Sequence, residues 1–247
     1  MISKNEAKFV KSLQNKKSRD EHQLFIVEGG KNVLELLNSG FETQKIYITT
    51  EFYEKKSELL SKTKSPIAFV NEEFLVSNGS FSSNNTALAL VKMKHFKPEI
   101  LNVSKNLLIL DQIKDPGNLG TIIRTADWFG VNQILCSEDS TDCFSPKVTN
   151  STMGSLGRVI LVYANLSEVL QKNGWTNIYG AVLGGEPIAK IKTQEPFALV
   201  IGNESKGISE KIQSFCSQKV TIPNIGKNAE SLNASVACGI LLHELTK

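Results

Sequence analysis

Apolar positions along this chain change period repeatedly. Phe9, Val10 and Leu13 share one side of a short helix over 1–14. Strand-length apolar runs at 24–27, 45–49, 66–70 and 87–91 then alternate with helical stretches at 30–38, 53–61 and 72–77. Two-residue and 3.6-residue periods taken in turn predict a small α/β domain. A polar stretch follows over 92–105, with Pro98 inside it. The reading is one domain over 1–98, a linker over 99–105 and a second domain over 106–247.

The second half restarts the alternation with longer apolar runs. Strands are expected at 107–110, 133–136, 159–163, 178–183, 197–201 and 220–222. Leu119, Ile122, Ile123 and Ala126 lie at i, i+3, i+4 and i+7, one face of a helix that stops at Gly130. Further helices are expected at 146–156, 166–172, 208–216 and 232–245. Continuous apolar strands with helices between them imply a parallel sheet covered on both faces.

Charge sharpens this picture in one place. Residues 1–105 carry 16 Lys and Arg against 12 Asp and Glu, whereas 106–247 carry 12 against 13. Lys4, Lys8, Lys11, Lys16, Lys17 and Arg19 hold much of the excess. Such an arm either favours approach to phosphates or is a solvated helix end. Cys136, Cys143, Cys216 and Cys238 form no C-x-x-C pair, and His22, His95 and His243 are scattered, so a metal site is not expected. No apolar run reaches the ~18 residues of a membrane span, and no leader-like apolar segment opens the chain. The expected location is the cytoplasm.

Open α/β sheets bind ligands beyond the carboxyl ends of their strands. Three segments of the second half occupy such positions. The first runs from Asp111 through Pro116, Gly117, Asn118 and Gly120 to Arg124. Asn118 reads as the N-cap of the following helix. Arg124 is off the apolar face, one of three arginines beside 25 lysines. It marks either a site needing a planar fork or a surface pair with Asp127. The second segment is Gly202-Asn203-Glu204-Ser205-Lys206-Gly207, after a buried strand. Its glycines allow close approach, and Glu204 or Ser205 could otherwise be a plain helix cap. The third follows Ile222 and Pro223 and holds Ser231-Leu232-Asn233-Ala234-Ser235, more side-chain hydrogen-bonding groups than capping by Ser231 or Asn233 requires. G-x-G-x-x-G after the first strand, a P-loop and a G-x-S-x-G elbow are all missing, which argues against dinucleotide, NTP and α/β-hydrolase chemistry.

At these segments the sequence resembles the SpoU (TrmH) family of RNA ribose methyltransferases in the SPOUT superfamily. The resemblance rests on Asn118-Leu-Gly-Thr-Ile-Ile-Arg124-Thr-Ala126 with Phe129-Gly130, on Ile201-Gly-Asn-Glu204-Ser-Lys-Gly207-Ile-Ser209, and on Ile222-Pro223 with Glu230-Ser-Leu-Asn233-Ala-Ser235. The first half is similar to the family's substrate-binding domain, an α/β module like certain ribosomal proteins, through Phe25-Ile-Val-Glu28-Gly29 and the helix after Lys31.

The resemblance implies a parallel-sheet SPOUT domain closed by a deep trefoil knot, a smaller N-terminal α/β RNA-binding domain, and a homodimer. It implies S-adenosylmethionine bound by Leu183, Gly184, Gly202, Asn203, Ile222 and Leu232. It implies methylation of a ribose 2′-hydroxyl by a site built from Arg124, Asn118, Glu204, Ser231 and Asn233, without metal or membrane. Arg124 takes the family's base position, although a guanidinium with a pKa above ~12 suits phosphate binding and alkoxide stabilisation better. The family commonly has Gly where Ser205 stands, a departure that narrows the second loop. The loop at 224–229, with Lys227, does not identify the substrate. A separate N-terminal domain favours ribosomal RNA over tRNA. The alternatives are a tRNA ribose methyltransferase, a base-modifying SPOUT enzyme, and a non-catalytic ribosome-assembly factor that keeps the knot.

Overall fold

The computed structural model describes residues 2–226, 228 and 230–247; Lys227 lies outside the described residues. In chain order the elements are α1 (Lys4–Ser12), α2 (Lys16–His22), β1 (Leu24–Glu28), α3 (Gly30–Leu37), β2 (Thr43–Ile48), α4 (Thr50–Lys55), α5 (Ser57–Leu60), β3 (Ile67–Phe69), α6 (Glu72–Asn78), β4 (Ala87–Lys92), β5 (Leu107–Leu110), α7 (Pro116–Trp128), β6 (Gln133–Ser137), α8 (Pro146–Ser151), β7 (Ile160–Ala164), α9 (Leu166–Asn173), β8 (Ile178–Pro187), β9 (Ala198–Ile201), α10 (Glu210–Gln213), β10 (Gln218–Thr221) and α11 (Ala234–Leu245). They form two compact units. One takes the chain up to Lys94 together with Asp142–Arg158; the other takes His95–Thr141 and Val159–Lys247.

The first unit is built on a mixed sheet of order β1-β4-β2-β3, in which β4 runs antiparallel to both neighbours and β2 pairs parallel with β3. Every residue of β1 is buried, as are five of the six in β4, which explains their unbroken apolar runs. Val10 of α1 and Leu13, its C-cap, pack with Ile26, Tyr47, Leu75 and Leu88. No apolar period announces α2. Asn15 caps its start, Gln23 in the left-handed region ends it, and its one buried residue is Arg19.

Arg19 therefore does not belong to an exposed basic arm. Its Nη1 donates to the carbonyls of Leu13 (3.1 Å) and Gln14 (2.8 Å), and its Nη2 meets Asp142 Oδ2 at 2.7 Å. A planar fork serves three acceptors at once, which an ammonium on a flexible stem does poorly. The helix expected over 146–156 is also shorter. It ends at Ser151, because Met153 and Gly154 take φ of 50° and 91°. A Cβ on Gly154 would lie 2.5 Å from Glu35 Cβ, and one on Gly157 2.6 Å from Ser39 Cβ. Close packing on α3 thus decides that break.

Glu28, buried at the end of β1, accepts the Ser80 N–H on both carboxylate oxygens at 2.9 Å. Burial pushes its carboxyl above the usual range, against the pull of those bonds. With the folded pKa raised, the unfolded chain releases this proton first as pH climbs. The native state then loses stability from the ordinary glutamate value up through the raised one. Glu28→Gln removes that slope. Its melting temperature relative to the parent is expected to improve as pH rises from the ordinary glutamate value toward neutrality. A difference independent of pH would show that this carboxyl does not titrate with folding.

The second unit carries a six-stranded, all-parallel sheet of order β10-β8-β9-β5-β6-β7. The central strands β5, β6 and β9 are buried throughout, and one sheet face packs Leu107, Ile109, Leu135, Val162 and Val200 into a continuous core. Because the strands are parallel, the segments after β8, β9 and β10 emerge on one sheet edge. No helix among the described residues is long and apolar enough to cross a membrane.

Candidate active site

The segment after β5 opens with strain. Gln112 has a φ of 60°, uncommon for a residue with a side chain. Its N–H donates to Ser137 Oγ (2.9 Å), and its carbonyl accepts from Asn203 Nδ2 (2.8 Å). Helix α7 then begins at Pro116, whose missing N–H costs nothing at that position. The cap is Asp115, not Asn118: Asp115 Oδ1 accepts the Asn118 N–H at 2.8 Å. The side chain of Asn118 is thereby released for other work.

That side chain joins the three segments. Asn118 is buried; its Nδ2 donates to Glu204 Oε1 (2.9 Å), and its Oδ1 accepts from Asn233 Nδ2 (2.9 Å). Asn233 is the cap of α11, with Oδ1 accepting from Ser235 N (2.9 Å), Ser235 Oγ (2.6 Å) and Val236 N (3.3 Å). Of the two caps the sequence offers, Ser231 and Asn233, the helix uses Asn233. Glu204 caps no helix; Ser209 stands at the start of α10. A carboxylate, two carboxamides and a helix start are locked in one chain of bonds, each amide oriented by its neighbours.

The loop after β9 is closed on itself. Asn203 and Gly207 exchange backbone bonds of 3.0 and 2.9 Å, and Asn203 Oδ1 accepts from Ser205 N and Lys206 N, both at 3.0 Å. Ser205 is exposed. A Cβ on Gly202 would lie 2.2 Å from the backbone of Gly207 and Ile208, so only glycine lets this loop fold back. Asp111, buried at the end of β5, accepts the Ser209 N–H at 2.7 Å and fastens the loop's far end. Asp111, Asp115 and Gln112 were not singled out from sequence. The first two look like ordinary loop acids there, and an unusual φ leaves no mark in composition.

The loop of β8 is an excursion within a strand. Lys219 pairs with Gly180 and the next residue, Val220, pairs with Glu186, so 181–185 bulge out of the ladder. Leu183, at the tip, is 76% exposed, and Gly184 takes φ of 76°. The expected strand over 178–183 extends to Pro187 for this reason. Ile222 follows directly on β10 and is half-buried. Leu232, next to Asn233, is 49% exposed.

Arg124 stands apart from the Asn118–Glu204–Asn233 chain. It lies on the exposed face of α7 and, among the described residues, makes no hydrogen bond or ion pair, so the surface pair with Asp127 does not form. Ser231 is likewise exposed and unbonded among the described residues. A free guanidinium and a free hydroxyl are available to a ligand, whereas the locked groups set shape.

Leu183 and Leu232 are large apolar side chains with much of their surface exposed, and Gly184 follows Leu183 with a positive φ. Comparison with known proteins identifies the family. The model of the SpoU rRNA Methylase family matches residues 105–243, and that of the MRM3-like substrate binding domain matches 4–83. The 23S rRNA (guanosine(2553)-2'-O)-methyltransferase RlmP of Bacillus subtilis (strain 168) is 30% identical over 241 residues, covering 95% of this chain and 93% of its own. A TrmH-family protein from Porphyromonas gingivalis superposes with a TM-score of 0.85 at 32% identity, covering 99% of this chain and 98% of its own. The AdoMet-bound rRNA methyltransferase from Sinorhizobium meliloti gives a TM-score of 0.87 at 27% identity, covering 99% and 96%. The chain belongs to the SpoU rRNA methylase family.

Proposed function

We propose that this protein methylates a ribose 2′-hydroxyl of ribosomal RNA, using S-adenosylmethionine, as a cytoplasmic enzyme. The observation that carries the reading is the intact Asn118–Glu204–Asn233 chain in a sequence matched almost end to end by a ribosomal RNA 2′-O-methyltransferase. Residues 1–98 would take the RNA and 106–247 the methyl donor, joined by 99–105.

The donor would sit among Leu183, Gly184, Gly202, Asn203, Ile222 and Leu232. Leu232 and Ile222 would cover the adenine faces, and backbone groups of the three loops would read its edge. The polar groups of Asn203 are engaged within the protein, so it shapes the pocket instead of touching the donor. The bound donor supplies an electrophilic sulfonium methyl. The chain's own task is to align the ribose oxygen in line with it and to favour loss of the hydroxyl proton. Arg124 would grip the adjacent phosphate and stabilise the developing alkoxide, with Ser231 hydrogen-bonding beside it. Asn118, Glu204 and Asn233 would hold the surrounding loops.

A knot is supported by the chain's path. β10 adds outside β8, yet α11 returns to pack on α7 and β9, and a Cβ on Gly185 would lie 2.8 Å from the Lys219–Val220 backbone. A homodimer is supported by apolar surface on the α7–α11 pair. Trp128 is 84% exposed and Val236 50%, with Ile240 one turn on and Thr125 Cγ2 3.6 Å from a Cβ placed on Gly239 between the helices. Large apolar side chains exposed on one helix pair are the kind of surface that an interface covers.

Asn203→Ala frees the Gln112 carbonyl and two loop N–H groups. It is expected to weaken donor binding about tenfold with a stability loss of about 1–3 kcal/mol; calorimetry and denaturation read the two. The direct test of function is transfer of labelled methyl from S-adenosylmethionine to purified ribosomal RNA and, separately, to tRNA, followed by mapping of nuclease-resistant linkages. Label on ribosomal RNA at a ribose supports the reading. Label on tRNA alone, on a base, or on neither overturns it.

A further inference from the structure

We propose that the outer face of α1 is a contact surface for the RNA phosphate backbone, a reading that rests on the RNA substrate above. Lys4, Lys8 and Lys11 lie at i, i+4 and i+7, a single stripe along the helix. All three are exposed, and none makes an ion pair or side-chain hydrogen bond among the described residues. The only carboxylate of α1, Glu6, points away. It accepts from Lys45 Nζ at 2.5 Å and from Tyr47 Oη at 2.7 Å, on the sheet side of the helix. The stripe is thus three cations with no anion of its own helix among them. Lys16 and Lys17 extend the positive surface into α2, although Asp20 and Glu21 follow each by one turn and soften it.

A solvated helix end would carry mixed charge and need no rigid seat. This helix has one. Val10 and Leu13 are fully buried beneath it, and Ser12 Oγ meets Ser18 Oγ at 2.8 Å. Gln14 Nε2 ties the corner to the carbonyls of Asn78 (3.1 Å) and Gly79 (2.7 Å). The Arg19 fork holds the carbonyls that end α1. Lysines on a fixed backbone lose less freedom on binding than those on a loose tail. From Lys4 to Lys11 the helix rises about 10 Å, over which one nucleic-acid strand presents about three phosphates.

The test uses the full chain and in-vitro-transcribed bacterial large-subunit ribosomal RNA. The triple variant Lys4→Gln/Lys8→Gln/Lys11→Gln is compared with the parent and with Lys55→Gln/Lys62→Gln/Lys64→Gln, which loses the same charge elsewhere. RNA affinity is followed across salt concentrations. The stripe variant is expected to bind at least about tenfold more weakly at low salt, with the slope of log K against log salt shallower by about 2. S-adenosylmethionine affinity and kcat at saturating RNA are expected to stay at the parent's values. An unchanged slope in the stripe variant, or an equal change in the control, overturns the proposal while the parent still binds and methylates RNA. Stripe-dependent binding to anionic vesicles with an unchanged RNA slope overturns it in favour of a lipid surface. A parent that neither binds nor methylates RNA overturns the functional reading itself.

Discussion

Arg124→Ala is expected to lower kcat for methyl transfer by about 10³-fold or more, near the upper end of what removal of one charge-stabilising donor costs. S-adenosylmethionine affinity is expected to remain within about tenfold, because Arg124 bonds to none of the loops that would hold the donor. Stability should change by no more than about 0.5 kcal/mol, as for other exposed positions. Single-turnover transfer and donor calorimetry separate the two effects. Equal loss of both would make Arg124 a structural residue. Arg124→Lys distinguishes base from electrostatic partner. A base replaced by lysine, with its ordinary pKa near 10.4, would regain rate as pH rises. A phosphate and alkoxide clamp would lose rate at every pH, since lysine keeps the charge and lacks the fork.

Arg19→Ala is expected to destabilise the first unit by about 3–5 kcal/mol, the scale for stranding one partner of a buried pair. The guanidinium is 4% exposed and Asp142 17%, so water screens little of the loss. Three acceptors lose their donor together: the Leu13 and Gln14 carbonyls and Asp142 Oδ2. That is a large share of the roughly 5–15 kcal/mol that separates folded from unfolded domains. Hydrogen exchange reads the effect locally. Amides of α2 and β1 should lose protection, with β5 and β9 as the internal reference. Arg19→Met/Asp142→Asn removes both charges and should recover part of the loss. If Arg19→Ala leaves α2 protection unchanged, the fork is not what holds that corner.

Legibility from sequence followed burial. Strands such as β5 and β9 announce themselves because both of their faces are covered and nearly every position must be apolar. α2 was invisible because its buried contact is a polar fork, which no hydrophobic period records. α8 is shorter than its sequence suggests because the turn after it packs closely on Glu35 of α3. Within the site, the residue types were legible and their partners were not. Asn118 reads as a cap until Asp115 is seen to perform that task, and Ser231 and Asn233 both read as caps until Asn233 is seen to take the role. Arg19 and Arg124 look alike as scarce arginines among lysines. One is sealed under a corner and the other stands open to solvent.

The sequence by itself determined the two α/β halves, the all-parallel character of the second, and the three post-strand segments where a ligand would sit. These follow from local periods and from residues whose backbone freedom or side-chain chemistry acts over a few positions. Tertiary structure alone decided that Asn118, Glu204 and Asn233 form one chain of bonds, that 181–185 leave the β8 ladder, and that 142–158 pack with the first unit. Those outcomes depend on groups far apart in the chain: 86 and 115 residues for the two bonds of Asn118, and 123 for the Arg19–Asp142 pair. Hydrogen bonds over such separations exist only once the sheet has set the distances between strand ends.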